Sequence, residues 1–600
     1  MKSENQLLGH FEGAAGTRPV QEDIKLLLDL AKRKIVDGAY VVNAIQPQRL
    51  NEILHPVIHA PSVKGLKSWK GGIAGSPGAA LGRAYFSAAA LLEAQKNALR
   101  NREDGRFILV LPASFAGDVK AIEAAAGVLT AEGGYAAHAS VVARQYGKVS
   151  LVAPDLKLRG KKAVLGEISF SEGEYITLDV PFFGEPMEQA PLEHVSSVYA
   201  GAAKLIEPDL AASGLLEFIA LVKSFVETGS LNTASGQRSS GRKFHIRANA
   251  DTPKDAALAL TLGADGIGLC RTEHMFFAAD RINVFREMLL AVSAADRNRA
   301  LKKLQTMQRE DFYGILKVMA GKEVTIRLLD APFHEFMPHT DDELSAYIAH
   351  IEKTGKIKVS RREILARIEA LDEFNPMLGR RGCRIAVSCP EIYAMQVQAI
   401  FEAVYKLREE KVDARPEILV PMVMNAAELK LIAYGKKIEG ASYPGIADIE
   451  EVVRSEKRAR PVPYKIGAMI ELPAAALGAG EIAKYGSFSS FGTNDLTQTT
   501  LGLSRDDCTA FMSGYTRYDL IANPFSVLDG RVKELITLAV ERGRLTRPDL
   551  VCGLCGEHGA NPVNVRFCVE AGLDYVSCSP YSVPIALLAA AQALNRGTSY

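Results

Sequence analysis

The sequence predicts an α/β protein: a compact α/β unit followed by a C-terminal (β/α)8 TIM barrel. Three observations carry this expectation. After residue 243, apolar strand-like runs alternate with helical stretches eight times, the arithmetic of an eight-fold barrel. Between residues 65 and 190, four more such runs (FILVLPA, GVLTAEGG, VSLVAP and EYITLDV) follow a glycine and proline turn cluster. Polar residues gather where each barrel run ends, and in such barrels that end carries the site.

Composition bounds the answer. With 600 residues and 48% hydrophobic content, the chain can bury several cores. Lys plus Arg total 71 against 70 Asp plus Glu, so no global field steers it toward nucleic acid or membrane, and neither is expected as a partner. An anionic ligand must then meet a local cluster. The start, MKSENQLLGHFEG, has no apolar core for a signal peptide, and no run reaches the roughly 18 apolar residues of a spanning helix. A cytoplasmic location is the expectation. All eight cysteines lie at or after Cys270 and read as reduced thiols rather than a disulfide framework.

In chain order, residues 1–62 read as a helical segment. QEDIKLLLDLAKRKIVD is an amphipathic helix stopping at Gly38, and a shorter helix lies near QRLNEIL. About 60 residues is thin for a nucleotide-binding domain. No G-x-x-x-x-G-K-S/T phosphate loop occurs in the chain. The turn cluster GGIAGSPGAALGRAYFS opens a unit spanning 63–190, which holds AEGGYAAHASVVAR. There Gly133 and Gly134 precede His138, letting backbone N–H groups at a helix N-terminus approach a phosphoryl group on it. The bland alternative is a solvated or capping histidine. Arg144, six residues on, helps only if the fold brings it round. Residues 191–242 read as a helix, LLEFIALVKSFVE, followed by the Ser/Gly-rich hinge SLNTASGQRSSGRK.

The barrel is placed at 243–600, with strands in KFHIRANAD, GIGLCRTEH, EVTIRLLD, EILVPMVM, KIGAMIELP, SFSSFGTNDL, LVCGLCGEHG and YVSCSP. Asn249, Arg271, Arg327, Glu471, Asn494, Asp495 and Cys555 should converge at one mouth. An insertion from about 333 to 390 is expected to add Arg381 and Arg384 near the rim. Several arginines with two carboxylates suit a small phosphorylated carboxylic acid: guanidinium forks grip phosphate and carboxylate, while the carboxylates hold a hard ion such as Mg²⁺. The ion and the arginines then stabilise a developing enolate. Taken singly, each of these residues also fits an ordinary ion pair. Cys552 and Cys555 form a C-x-x-C. Zinc or redox chemistry is one reading, and a proton-donating Cys555 with Cys552 buried as a small hydrophobe is the other.

Ten motifs in order, GSPGAALG, the glycine-pair histidine segment, ANADTP, GLCRTEHMFF, RLLDAPFHEF, NPMLGRRGCR, MIELPAAAL, SFGTNDLTQ, GLCGEHG and DYVSCSP, resemble the phosphoenolpyruvate-utilising enzymes. They cover nearly everything from residue 45 onward. GLCRTEHMFF and GLCGEHG look like the dikinase branch, whereas PAAA after Glu471 looks more like the sugar phosphotransferase branch.

The resemblance implies a swivelling phosphohistidine domain ahead of the barrel, with His138 the residue phosphorylated. Arg271, Arg327 and Arg381 are implied to bind the phosphate and carboxylate of phosphoenolpyruvate, and Asn494 to contact it. Glu471 and Asp495 are implied to ligate Mg²⁺, and Cys555 to protonate the pyruvate enolate. It implies a transferase acting on phosphoenolpyruvate and pyruvate, and a homodimer through the barrel.

Two departures stand out. In the family an ATP-grasp nucleotide-binding domain precedes the histidine domain, and here only its last helical portion is recognisable. The expectation is that this chain does not use ATP alone, the nucleotide half coming from a separate ATP-grasp subunit or being replaced by a phosphoryl acceptor protein. The family also places Thr-Ser or Thr-Cys before the histidine, where this chain has Ala136 and Ala137, so control by phosphorylation of that threonine is excluded. The alternative is a non-catalytic protein that senses phosphoenolpyruvate or pyruvate.

Overall fold

The structure is a computed structural model. It describes residues 19–113, 118–133, 138–180, 195–228, 242–277, 281–291, 293–338, 341–354, 361–439, 441–505, 508, 511, 515, 518, 520–521 and 523–596. The expected Ser/Gly-rich hinge at 229–241, and Gly134, Ala136 and Ala137, lie outside these residues, as does the side chain of His138.

An eight-stranded mixed sheet is built from β1 (Ser68–Lys70), β2 (Ile73–Ser76), β3 (Gly78–Tyr85), β4 (Phe107–Leu111), β5 (Gly127–Thr130), β6 (Val149–Val152), β7 (Tyr175–Val180) and β8 (Ser197–Ala200), in the order β1-β8-β7-β3-β4-β5-β6-β2. The central strands β3, β4, β5 and β6 are parallel, and their neighbours antiparallel. Every residue of β4 and β5 is buried, because both faces of a central parallel strand are covered. Sequence placed the end of this unit near 190, yet its sheet takes in β8. Backbone pairing of Val198 with Leu178 seats β8 as a further strand, a contact that local pattern does not announce.

The eight expected barrel runs are the eight strands of a closed barrel: β9 (His245–Asn249), β10 (Ile267–Arg271), β11 (Glu323–Arg327), β12 (Arg415–Val420), β13 (Lys465–Ile470), β14 (Phe488–Phe491), β15 (Val551–Leu554) and β16 (Tyr575–Cys578). All are parallel, and β9 pairs with β16 to close the ring. Deep in the barrel, Glu417 accepts from Arg247 Nη1 at 2.6 Å and from Thr325 Oγ1 at 2.7 Å, while Lys465 Nζ lies at 2.9 Å. Removing the Glu417 carboxylate should cost about 3–5 kcal/mol, because the buried Arg247 charge would be left uncompensated.

The N-terminal helix α1 (Val20–Lys32) buries Val20, Ile24 and Leu27 at helical spacing. With α3 (Leu215–Thr228) it shares one apolar core with the barrel, and the last helix, α5 (Val583–Arg596), packs against α3. The segment read as a separate helical piece is thus part of the barrel's packing. The helix expected at LLEFIALVKSFVE is α3, whose Leu215, Phe218, Ile219 and Val222 are buried.

Helix α2 (His138–Gln145) follows β5 and begins at His138. Its sheet docks on the barrel. Gly147 (φ +63°), just after α2, approaches Tyr581 so closely that a Cβ there would meet a ring carbon at 2.1 Å. No helix among the described residues is long and apolar enough to cross a membrane.

Candidate active site

Because all eight strands run the same way, the residues ending them share one mouth. Arg271 and Arg327 are the last residues of β10 and β11, Glu471 and Cys555 follow β13 and β15, and Asn494 and Asp495 lie in the first turn of α4 (Thr493–Leu501), which leaves β14. Arg381 comes from the insertion and meets them. It donates from Nη2 to Asp330 Oδ2 at 2.8 Å, and from Nη1 and Nη2 to the two Asp495 oxygens at 3.3 and 3.4 Å. Arg327 pairs with Asp330 Oδ2 at 2.8 Å and with Glu273 on its other side.

Local backbone geometry permits this crowding. Gly382, next to Arg381, has φ +58°, and a Cβ there would sit 2.6 Å from Met422 Cβ and 3.0 Å from Asp330 Oδ1. Gly556 presses on Thr493, whose Oγ1 a Cβ would meet at 2.0 Å. His558 ties the same loops together. Its Nε2 lies 2.8 Å from Pro524 O and its Nδ1 2.8 Å from Thr493 Oγ1. A carbonyl only accepts, so Nε2 carries the proton and Nδ1 accepts from the Thr493 hydroxyl. Burial lowers the His558 pKa to about 4, which keeps the ring neutral.

Three carboxylates, Asp330, Glu471 and Asp495, bring oxygens within 4.8 Å of one another. Glu471 Oε1 accepts from Met422 N at 2.6 Å, while Oε2 is buried and has no hydrogen-bond partner. Burial, and then Asp330 and Asp495, push the Glu471 carboxyl well above the usual range. Burial also raises Asp330, whereas Arg381, Arg505 and Arg327 together outweigh it at Asp495 and hold that carboxyl low. A hard divalent cation fits this donor set: all-oxygen ligands, one unsatisfied, with mutual repulsion that a dication would relieve.

Cys555 faces the barrel interior among Leu269, Leu419 and Met469. Burial pushes its thiol up to about 11, so at neutral pH it carries a proton. Cys552 is buried on β15, and both cysteines are free thiols. Among the described residues, the one cluster suited to a metal contains no cysteine.

Two expected mouth residues do other work. Asn249 lies beneath the site, its Nδ2 donating to Cys555 O at 3.4 Å and its Oδ1 accepting from Ser577 Oγ at 2.6 Å, so it supports the cysteine loop. Arg384 donates to Leu378 O at 2.7 Å and Gly379 O at 2.8 Å, bracing its own loop instead of entering the site. Arg384 stands three positions after Arg381, across the sharp Gly382 turn, where the chain has already started the helix Cys383–Ser388.

Sequence reasoning passed over Asp330, Glu273 and Glu557. Asp330 sits three residues after Arg327 in RLLDAP, a spacing that was available as a signal. Glu557 follows Cys555 by two, and its partners are distant in sequence. Its Oε1 accepts from Arg271 Nη2 at 3.3 Å and its Oε2 from Arg144 Nη2 at 3.3 Å, while its backbone N–H donates to Asn494 Oδ1 at 3.1 Å. The fold does bring Arg144 round to the barrel mouth.

An α/β unit thus sits on a barrel mouth that gathers Arg271, Arg327 and Arg381 with three clustered carboxylates and a protonated thiol, an arrangement suited to small anionic ligands. The chain belongs to the PEP-utilising enzymes: residues 226–595 match the family described as "PEP-utilising enzyme, PEP-binding domain" and residues 104–180 match "PEP-utilising enzyme, mobile domain". Within it the chain is similar to pyruvate, phosphate dikinase. It is 60% identical to that of Treponema pallidum over 95% of this chain and 61% of the relative. It is 41% identical to the chloroplastic pyruvate, phosphate dikinase 1 of Arabidopsis thaliana over 98% of this chain and 56% of the relative. For the Rhizobium meliloti protein the figures are 40%, 99% and 61%. The chain thus spans about three fifths of the length of the curated relatives it matches.

Proposed function

We propose that this chain carries out the phosphoenolpyruvate half-reaction of a dikinase: phosphoenolpyruvate plus His138 gives pyruvate plus phospho-His138. The observation that carries it is the meeting of Arg271, Arg327 and Arg381 with Asp330, Glu471, Asp495 and a protonated Cys555 at one barrel mouth on which the His138 domain is docked.

In this reading the three guanidiniums hold the substrate's phosphate and carboxylate, and Asn494 orients it. Arg327 and Arg381 are already fixed by Asp330, so little reorganisation is needed on binding. The His138 imidazole takes the phosphoryl group: a P–N bond forms, the P–O bond breaks, and the electron pair stays on the pyruvate enolate. Cys555 gives its proton to the enolate's methylene carbon, completing pyruvate, and the thiolate regains a proton from solvent. Asp330, Glu471 and Asp495 would hold Mg²⁺, which supplies positive charge against the phosphate and the developing enolate. Asp330 thus joins Glu471 and Asp495 in the proposed ligand set.

A dikinase cycle also needs a nucleotide half. The phosphoenolpyruvate half proposed here runs independently of it, and we assign a homodimer through the barrel.

The test is exchange of labelled pyruvate into phosphoenolpyruvate with Mg²⁺ and without nucleotide. Exchange that a chelator stops, and that His138→Ala and Cys555→Ala each lose, supports the half-reaction. Calorimetric binding of phosphoenolpyruvate with His138 never phosphorylated by mass spectrometry would overturn it in favour of a sensor.

A further inference from the structure

We infer that Glu557 is the docking carboxylate that seats the mobile domain on the barrel, by bridging Arg144 of that domain to Arg271 of the barrel. Its role in phosphoryl transfer rests on the half-reaction proposed above; the docking itself rests on geometry alone.

Arg144 is anchored within its own domain. Its Nη1 donates to Gly75 O, and Gly75 has no room for a side chain, since a Cβ would meet Ser140 Oγ at 2.3 Å. The guanidinium is thereby turned so that its Nε and Nη2 edge faces outward, and both atoms reach Glu557 Oε2, at 3.4 and 3.3 Å. On the barrel side the carboxylate is equally fixed. Its backbone N–H is held by Asn494 Oδ1, and the adjacent His558 is pinned between Thr493 and Pro524. The remaining oxygen, Oε1, takes Arg271 Nη2 at 3.3 Å.

All three side chains are nearly buried, at 7% exposure for Arg144 and 10% each for Arg271 and Glu557. Bringing two guanidiniums together in a dry interface is repulsive, and the low local dielectric enlarges that repulsion. A carboxylate between them turns repulsion into attraction on both sides, and Glu557 occupies that position. The arrangement has a consequence for His138. Arg144 lies six residues along α2, about 9 Å of helix rise from His138. Seating Arg144 on Glu557 therefore sets where the helix bearing the histidine comes to rest over the mouth. Glu557 acts through Arg144 and is a positioning residue.

The experiment uses the full chain with spin labels at Leu99→Cys on the mobile domain and Leu545→Cys on the barrel, 75% and 84% exposed. All eight native cysteines are buried, so labelling is selective. Pulsed electron paramagnetic resonance should show one dominant distance, the docked one. Glu557→Gln, which keeps the shape and removes the charge, should shift the docked-to-undocked ratio by about tenfold or more, as removal of a partly buried charge partner does. Arg144→Gln should do the same, the two together should add little further, and Glu557→Asp should restore part of the docked population. An unchanged distance distribution in both single variants overturns the inference, as does full additivity in the double variant. If the distances respond as expected but the unsubstituted protein shows no pyruvate exchange, the docking role stands and the half-reaction falls.

Discussion

Arg381 is clamped to Asp330 along one whole edge of its guanidinium. Nε donates to the backbone oxygen at 3.1 Å and to Oδ1 at 3.2 Å, and Nη2 donates to Oδ2 at 2.8 Å. Asp330 also receives Arg327, so one buried carboxylate aligns two arginines from segments 54 residues apart. Arg381→Lys keeps a positive charge but loses the planar fork. Pyruvate exchange should fall by roughly 100-fold, about 2.7 kcal/mol of transition-state stabilisation, with thermal unfolding followed alongside to separate activity from folding.

Gly382 supplies the turn that aims this arginine. Gly382→Ala would place a Cβ against Met422 in a left-handed conformation, at a cost of about 1–2 kcal/mol for the backbone alone. The melting temperature should drop and exchange activity should drop further than the stability loss explains, because Arg381 is displaced. Activity equal to that of the unsubstituted protein would show that the turn is not needed.

Burial holds the Cys555 thiol at about 11, and the proposed proton donor is the thiol form. Thiol ionisation should therefore leave the reaction unimpaired until pH approaches 11, and ultraviolet absorbance should detect no thiolate from Cys555 at pH 8. Cys555→Ser replaces the thiol by a far weaker acid, and washing of deuterium into the pyruvate methyl group should slow by about 100-fold or more. A Cys555 ionising near pH 8 would contradict the buried site.

His558 ties stability to pH. Its folded pKa of about 4 lies below the 6.5 of an unfolded histidine, so between these values the unfolded chain binds the extra proton. The neutral ring's contribution is complete above pH 6.5 and is lost as pH falls toward 4. The shift is worth roughly 3 kcal/mol. His558→Gln lacks this dependence. The stability gap between the two proteins in denaturant melts should narrow from pH 7 to pH 4.5, whereas a constant gap would mean that the ring is not buried and neutral.

Much of the architecture was legible because local pattern carries it. Each barrel strand is a short apolar run with a polar residue at its exit, and a parallel barrel places all exits on one side, so Arg271, Arg327, Glu471, Asp495 and Cys555 could be grouped without coordinates. Arg384 shows the limit of that reasoning. It shares a short motif with Arg381, yet the Gly382 turn sends one guanidinium into the site and the other back onto Leu378 and Gly379. Asn249 obeyed the strand-end rule, yet its amide is used up by Cys555 O and Ser577 Oγ, because the rule fixes height along the barrel and not which groups a side chain bonds.

The sequence by itself determined the order of elements, the barrel, and the chemical types at its mouth, since hydrophobic periodicity and strand polarity are local properties of the chain. Only the tertiary structure decided which charges neutralise which. Arg144 and Glu557 are 413 residues apart, and their pairing depends on a docking of two separate cores that no local spacing encodes. Asp330 gained its role the same way: a carboxylate three residues after an arginine is an ordinary neighbour in sequence, and it becomes the hinge of the site once Arg381 and Asp495 are folded against it and water is excluded.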